Sequence, residues 1–409
     1  MEQLRAWRGR IGAELDAAVG FWERHSHDPE HGGFFSCLTR DGSVYDDTKF
    51  VWMQGRQIWV YSRLYRTVPR FRRPELLQAA RKAGEFLQSH ARPHPGSSRA
   101  AFALSRDGRP ERLQRSFYSE AFCALGLDEL GRATGDSKYR AWARGWALAV
   151  WGWARGSPME LGRPRLSGTP PQQALAQPMM VLKVGLQLLG DPRDPSPGDP
   201  DPEAEAMAEW GARRLLLHLQ RGDSVVLENV SPEGGELPGS LGRLMNPGHA
   251  LEAAWLLLQF SQRRGDAALG ARAVTALLEG PLKWGWDPQH GGLFYFLDAD
   301  GHCPTQLEWS MKLWWPHLEA MVALLAAHLF QPRPSLISQF LQLAQFTFDK
   351  FRDPEHGEFF GYLNRDGSVA LSIKGGPYKG CFHVARALLM CEEMLGAILE
   401  REGAAAGEK

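Results

Sequence analysis

Apolar residues recur along this chain at helical spacing. Leu251, Ala254, Trp255 and Leu258 fall at i, i+3, i+4 and i+7, and Leu318, Met321, Val322 and Leu325 repeat the set. That is the stripe of an amphipathic helix. Residues 75–89, 204–220 and 335–350 show a one-sided stripe and predict helices that cover a core from outside. Other runs are apolar nearly all round, as a helix covered on both sides must be. They open at Gln54-Gly55-Arg56, Ser119-Glu120, Gln177-Pro178-Met179, Gly248-His249, Pro316-His317 and Phe382-His383.

These landmarks are periodic. Position 54 to 120 is 66 residues, 249 to 317 is 68, and 317 to 383 is 66. A second series keeps the same step. His27-Asp28-Pro29-Glu30-His31-Gly32-Gly33-Phe34-Phe35 returns as Trp286-Asp287-Pro288-Gln289-His290-Gly291-Gly292-Leu293-Phe294 and as Arg352-Asp353-Pro354-Glu355-His356-Gly357-Glu358-Phe359-Phe360. Each copy leads into a short apolar run, and Arg40-Asp41-Gly42 and Arg365-Asp366-Gly367 then supply the Asp-Gly signal of a β-hairpin. A unit of about 65 residues fits the 409-residue chain six times. The expectation is an all-α (α/α)6 toroid with short β-hairpins on one rim, forming a single domain over 1–409. A linear solenoid of helix pairs is the alternative. Residues 191–202 hold five prolines and predict an exposed, non-helical link inside one unit, and 402–409 should fray.

Composition narrows the function. Lys plus Arg and Asp plus Glu are both 47, so the charge footprint of a nucleic-acid or acidic-membrane binder is missing. Five cysteines without a CxxC pair argue against a disulfide framework or a thiolate zinc site and for a reducing, cytoplasmic setting. The charged N-terminus has no signal-peptide pattern, and no long uncharged apolar run suggests a membrane span.

In a closed ring, residues one unit apart face the same cup. His249, His317 and His383 occupy successive stations, with Arg56 at another. Glu252 and Arg386 follow the first and last histidines at i+3, on the same helix face. Glu319 adds a carboxylate, and Trp314-Trp315 an aromatic wall suited to a sugar. Imidazole exchanges protons near neutral pH. Two such groups on opposite sides of a carbon acid suit proton removal from one face and return to the other, with an arginine steadying the enolate oxygen. His317 has no charged i+3 neighbour and stays ambiguous. Cys381 is a candidate reactive thiol, with a structural or merely nearby cysteine the favoured reading. The His-Gly-Gly segments read as turns, residues 375–380 as a tight rim turn, and no set of residues has metal-ligand spacing.

Five motifs in order then carry a resemblance. Residues 28–35, Val51-Trp52-Met53-Gln54-Gly55-Arg56-Gln57, Asn246-Pro247-Gly248-His249-Ala250-Leu251-Glu252, Leu313-Trp314-Trp315-Pro316-His317-Leu318-Glu319 and residues 372–386 resemble the N-acylglucosamine 2-epimerase (renin-binding protein) family, mammalian type. The resemblance implies an (α/α)6 barrel that interconverts N-acetylglucosamine and N-acetylmannosamine through an enediolate. It further implies catalysis by His249 and His383, with Arg56 near the sugar oxygens and Glu252, Glu319, Arg386 and Trp315 in support. Cys381 matches a cysteine regarded as important in the family. No cofactor is implied for the chemistry, while ATP or another nucleotide is implied as an effector, and a homodimer as the assembly. The family's central leucine heptad is interrupted: Leu175, Leu182 and Leu189 keep step, but Ser196 and Glu203 follow. Three leucines do not make a zipper, so zipper-mediated renin binding is not expected, and they read as the buried face of a barrel helix. The rival functions are an aldose–ketose isomerase, an inverting glycosidase, which needs two opposed carboxylates, and a protease-inhibitory binding protein.

Overall fold

The computed structural model describes residues 1–156, 161–162, 167–168, 170–191 and 201–407. Its helices follow the two kinds of apolar stripe in alternation. In chain order they are α1 (Glu2–His25), α2 (Val51–Thr67), α3 (Pro74–His90), α4 (Tyr118–Thr134), α5 (Ser137–Arg155), α6 (Ala176–Leu189), α7 (Pro202–Leu216) and α8 (Pro247–Arg264). There follow α9, an interrupted helix made of Ala267–Arg272, a π-helical Ala273–Glu279 and Gly280–Gly285, then α10 (Trp314–Phe330), α11 (Pro334–Phe351) and α12 (Phe382–Gly407). Even-numbered helices are the inner ones. Each packs on the next, and α12 packs back on α2, so the ring closes and the linear stack is excluded. Odd-numbered helices cover them from outside, with α1 lying on α12.

The closest helix crossing explains the Gly in the Gln54-Gly55-Arg56 landmark. A Cβ on Gly55 would stand 2.3 Å from the Phe122 carbonyl oxygen, and one on Gly126 would stand 2.4 Å from that of Gly55. Only two facing glycines let α2 and α4 approach so closely.

The recurring turns of the repeat are the joints of one rim. Buried Asp28 meets Lys49 (2.8 Å) and Arg106 (3.0 Å), Asp287 meets Lys312 (3.0 Å) and Arg365 (2.9 Å), and Asp353 meets Lys374 (3.0 Å) and Arg40 (2.8 Å). Burial alone would raise these carboxyls, but the paired cations hold them well below the usual carboxylate range. The arginine of each Arg-Asp-Gly hairpin thus grips the aspartate of another turn, and Arg40–Asp353 joins the last unit to the first. Short strands stitch neighbouring units further: Lys49–Phe50 pairs with Ala103–Leu104, and Lys312–Leu313 with Tyr362–Leu363, each just before an inner helix.

Three boundaries differ from expectation. The helix predicted over 204–220 ends at Leu216, because His218 Nδ1 donates to the Leu227 carbonyl (2.7 Å) and Leu219–Gln220 pairs with Val225–Val226. The proline-rich link ends at Asp201, whose side chain caps α7 by accepting from the Ala204 N–H, and Pro202 already begins the helix; residues 192–200 lie outside the described residues. The tail expected to fray from 402 continues α12 to Gly407, with Ala404-Ala405-Ala406 as strong helix formers; 408–409 lie outside the described residues. Leu175 and Leu182 are buried against the barrel core, and Glu203 is exposed, so the interrupted heptad is a packing face. No helix among the described residues is long and apolar enough to cross a membrane.

Candidate active site

The first turns of the inner helices carry the polar residues of the hairpin rim. His383 sits at the start of α12, buried, and its Nδ1 lies 2.7 Å from Glu319 Oε1 on α10. A carboxylate only accepts, so Nδ1 carries the proton and Nε2 keeps its lone pair. The same Glu319 oxygen accepts from Arg386 Nη2, and its other oxygen accepts from Trp255 Nε1 (2.8 Å). Burial first, then the Arg56 charge, hold His383 well below the usual imidazole value, with Arg386 and Lys183 acting the same way against Glu252.

The second imidazole has the opposite bias. His249 Nδ1 faces both oxygens of Glu228 at 2.9 and 3.0 Å. Burial would lower its proton affinity, yet the Glu228 charge and hydrogen bond raise it above the ordinary value. Trp315 lies against both rings, with centroids 5.1 Å from His249 and 5.8 Å from His383. One indole therefore separates a basic, charge-prone imidazole from one kept neutral.

Arg56 completes the cup from α2. Its guanidinium carbon stands 4.3 Å from the Phe122 ring centroid and 4.6 Å from that of Trp52. Its one hydrogen bond among the described residues is a long one to the Tyr378 carbonyl (3.5 Å), and Nε has no acceptor. Burial pushes it down to about 10, which leaves it cationic at neutral pH. A buried cation held by aromatic faces with donors to spare is suited to meet oxygen on a ligand.

Several residues take places the repeat did not foretell. Glu252, expected beside His249, lies one turn deeper and accepts from Lys183 Nζ (2.7 Å); Glu228 is the carboxylate that holds His249. Arg386 likewise reaches Glu319 rather than the imidazole three residues before it. Glu228 stands in a rim segment, between the strands Val225–Val226 and Asn229–Val230, and follows no period. Lys183 did leave a signal, as a lone charge in the apolar run Met179-Met180-Val181-Leu182-Lys183-Val184. A buried lysine requires a buried carboxylate.

His317 is a core residue. Its Nε2 accepts from the Leu293 N–H (2.9 Å), its Nδ1 donates to the Leu313 carbonyl (2.6 Å), and its ring stacks on Phe346. Burial pushes it down to about 3. Nε2 thus holds the turn after Gly292, the task that Gln54 performs on Phe34 in the first repeat, while Nδ1 is spent on the start of its own helix. His317→Ala is expected to cost about 1–3 kcal/mol of stability by orphaning the Leu293 amide. Turnover per folded molecule should stay at the parent level when both are measured on one preparation. Cys381 is also buried, and burial followed by the Glu358 charge pushes its thiol well above the ordinary value, so it is no thiolate. Its carbonyl accepts from the Ala385 N–H and starts α12. Among the described residues no cluster of three or more His, Cys, Asp or Glu has the arrangement of a metal site.

Residues 33–152 and 228–387 match the family model described as N-acylglucosamine 2-epimerase (GlcNAc 2-epimerase). The chain belongs to this family. The second matched stretch opens on Glu228 and closes just past Arg386, and the first contains Arg56. N-acylglucosamine 2-epimerase of Bos taurus is 54% identical over 404 residues, covering 98% of this chain and 94% of its own. Cellobiose 2-epimerase of Spirochaeta thermophila superposes with a TM-score of 0.80 at 22% identity, over 98% of this chain and 99% of that one. A D-mannose isomerase structure superposes with a TM-score of 0.79 at 19% identity, over 94% and 97%. Membership of the N-acylglucosamine 2-epimerase family makes the chain a sugar epimerase, an enzyme of the isomerase class, on an α/α toroid.

Proposed function

We propose that this epimerase interconverts N-acetylglucosamine and N-acetylmannosamine by moving a proton at carbon 2 of the open-chain sugar. The observation that carries the reading is the pair of imidazoles flanking Trp315, each fixed at Nδ1 by its own carboxylate and biased toward opposite charge. In one direction neutral His383 Nε2 takes the carbon-2 proton. The C–H electron pair moves into the carbon 1–carbon 2 bond, and the aldehyde oxygen becomes an enolate oxygen that Arg56 stabilises. His249, protonated at Nε2, then returns a proton to the opposite face. Atoms and electrons balance without redox change, so the proposed step takes no redox cofactor, and a nucleotide effector has no part in it.

The pH dependence follows from proton counting. His383 must lose its proton and His249 must keep one, so turnover should rise through the depressed His383 value and fall through the raised His249 value. The reverse reaction places the single proton on the other imidazole. Both directions therefore share the same two limits, which belong to the pair. Glu228→Gln removes the charge that raises His249, so the alkaline limb should move to lower pH in a profile of kcat/KM.

The discriminating experiment is incubation with N-acetylmannosamine in deuterated water. Deuterium at carbon 2 of the N-acetylglucosamine formed supports the reading; no exchange at carbon 2 rejects it. An aldose–ketose isomerase on this fold would give a ketose from mannose, which carries a hydroxyl on carbon 2, and none from the N-acetylated sugar. The glycosidase reading lacks support because histidines hold the opposed stations, and a binding protein has no use for two oppositely biased imidazoles.

A further inference from the structure

The residue that opens an inner helix has a recurring duty. Gln54 Oε1 accepts from the Phe34 N–H (2.7 Å), Glu120 Oε1 from that of Ala100 (2.8 Å), and His317 Nε2 from that of Leu293 (2.9 Å). Each amide lies 20 or 24 positions before its acceptor and is buried, so it needs that partner. By position His383 inherits the same duty. It follows His317 by 66 residues, and Phe359 follows Leu293 by 66. Yet the Phe359 N–H donates to Glu358 Oε1 (2.8 Å), and His383 turns to Glu319 instead.

One side chain sets this copy of the turn apart. Glu358 stands where the other two copies have Gly33 and Gly292, and φ is positive at all three, at 58°, 73° and 75°. That region suits glycine and strains a residue with a Cβ. The glycines serve a second purpose as well. A Cβ on Gly33 would lie 2.8 Å from Gln54 Oε1, and one on Gly292 would lie 2.9 Å from His317 Nε2. A side chain at this position and a helix residue turned onto the amide therefore exclude each other. Glu358 is buried and well held: Oε1 also accepts from Lys379 Nζ (2.8 Å), and Oε2 accepts from Trp22 Nε1 (2.6 Å). Lys379 in turn donates to the Lys374 carbonyl (2.9 Å), so the same carboxylate fastens the segment that leads into α12.

We infer that Glu358 is a positioning residue for catalysis: it takes the Phe359 amide and blocks the approach to it, and so releases His383 from the duty that binds His317. The competition is for one imidazole nitrogen. His317 shows the bound state, in which Nε2 accepts an amide and Nδ1 donates to a carbonyl, leaving neither nitrogen for a ligand. His383 shows the released state, in which Nδ1 donates to Glu319 and the Nε2 lone pair is kept for the cup. A left-handed glutamate is a strain that the turn itself does not require, since glycine builds the same turn twice. Glycine at 358 would remove the acceptor and the obstacle together. The orphaned Phe359 amide would then draw the imidazole back, as the Leu293 amide holds His317. The effect on turnover rests on the acid–base role proposed for His383; the release itself does not.

The test compares Glu358→Gly, which restores the residue of the other two copies, with Glu358→Gln, which keeps both an acceptor and the obstacle. In Glu358→Gly, turnover per folded molecule should fall by about tenfold or more with KM within about twofold, because molecules with a diverted imidazole bind the sugar without converting it. Glu358→Gln should stay within about threefold of the parent's turnover. A stability cycle with His383→Ala gives a readout that needs no chemistry. His383 holds no turn in the parent but becomes the amide's acceptor in Glu358→Gly. Alanine at 383 should therefore lower the melting temperature by about 2 °C or more further in the glycine background than in the parent. Should Glu358→Gly fail to fold because Lys379 is left buried without a carboxylate, Glu358→Gly/Lys379→Met takes its place in both measurements. Parent-level turnover with glycine at 358, or an equal cost of His383→Ala in both backgrounds, would overturn the inference. So would a loss in Glu358→Gln as deep as in Glu358→Gly. Absence of carbon-2 exchange in the parent would instead count against the epimerisation chemistry and leave the stability cycle readable.

Discussion

Alanine at His383 or His249 is expected to leave a folded protein whose turnover falls by about two orders of magnitude or more, the usual loss for a positioned general acid or base. Neither imidazole holds the fold as His317 does. His383 touches Glu319, which keeps Arg386 and Trp255 as partners, and His249 touches Glu228 at the half-buried rim. The informative readout is exchange. His383→Ala retains His249 on the opposite face, so the epimer whose carbon-2 proton points toward His249 should still wash deuterium in without being converted. His249→Ala should show the mirror pattern. Equal loss of exchange from both sugars in both variants would rule out one base per face.

Arg56→Lys should lower turnover by about two orders of magnitude, the scale of losing one oxyanion donor, while the Michaelis constant moves far less. The aldehyde is neutral and gains little from a nearby cation, whereas the enolate oxygen carries full charge, so the interaction belongs mainly to the transition state. Lysine keeps the charge but loses the planar fork and its stacking against Phe122 and Trp52. A merely structural Arg56 would be tied to a carboxylate, and its loss would lower the melting temperature with turnover per folded molecule unchanged. The guanidinium is hydrogen-bonded to the Tyr378 carbonyl alone among the described residues. Melting temperature and turnover taken on the same preparation separate the two cases.

The ring was legible in the sequence because closure demands repetition: every inner helix meets the same neighbours, so Gln54, His249, His317 and His383 recur in phase. Phase identifies a station, however, and not a task. His317 and Gln54 use their stations to hold a turn amide, while His249 and His383 turn toward the cup. The partners were less legible. Spacing of i, i+3 suggested Glu252 for His249, but that offset descends the helix toward Lys183, and the true carboxylate arrives from Glu228 on a rim segment with no periodicity. Contacts between different inner helices, such as Glu319 with His383, depend on the diameter of the ring, which no single stretch of sequence encodes.

The seam has a consequence for how this enzyme can fail. Arg40 and Asp353, 313 positions apart, fasten the last unit to the first, and α12 lies between α1 and α2. His383 and Arg386 belong to one side of that seam and Arg56 to the other. The two edges meet only after the longest loop in the chain has been closed, which makes the seam the contact with the greatest entropic cost. A barrel that breathes open there would keep nearly all of its helices while Arg56 drifts away from His383. Catalysis is therefore a more sensitive gauge of an intact circle than helical content is.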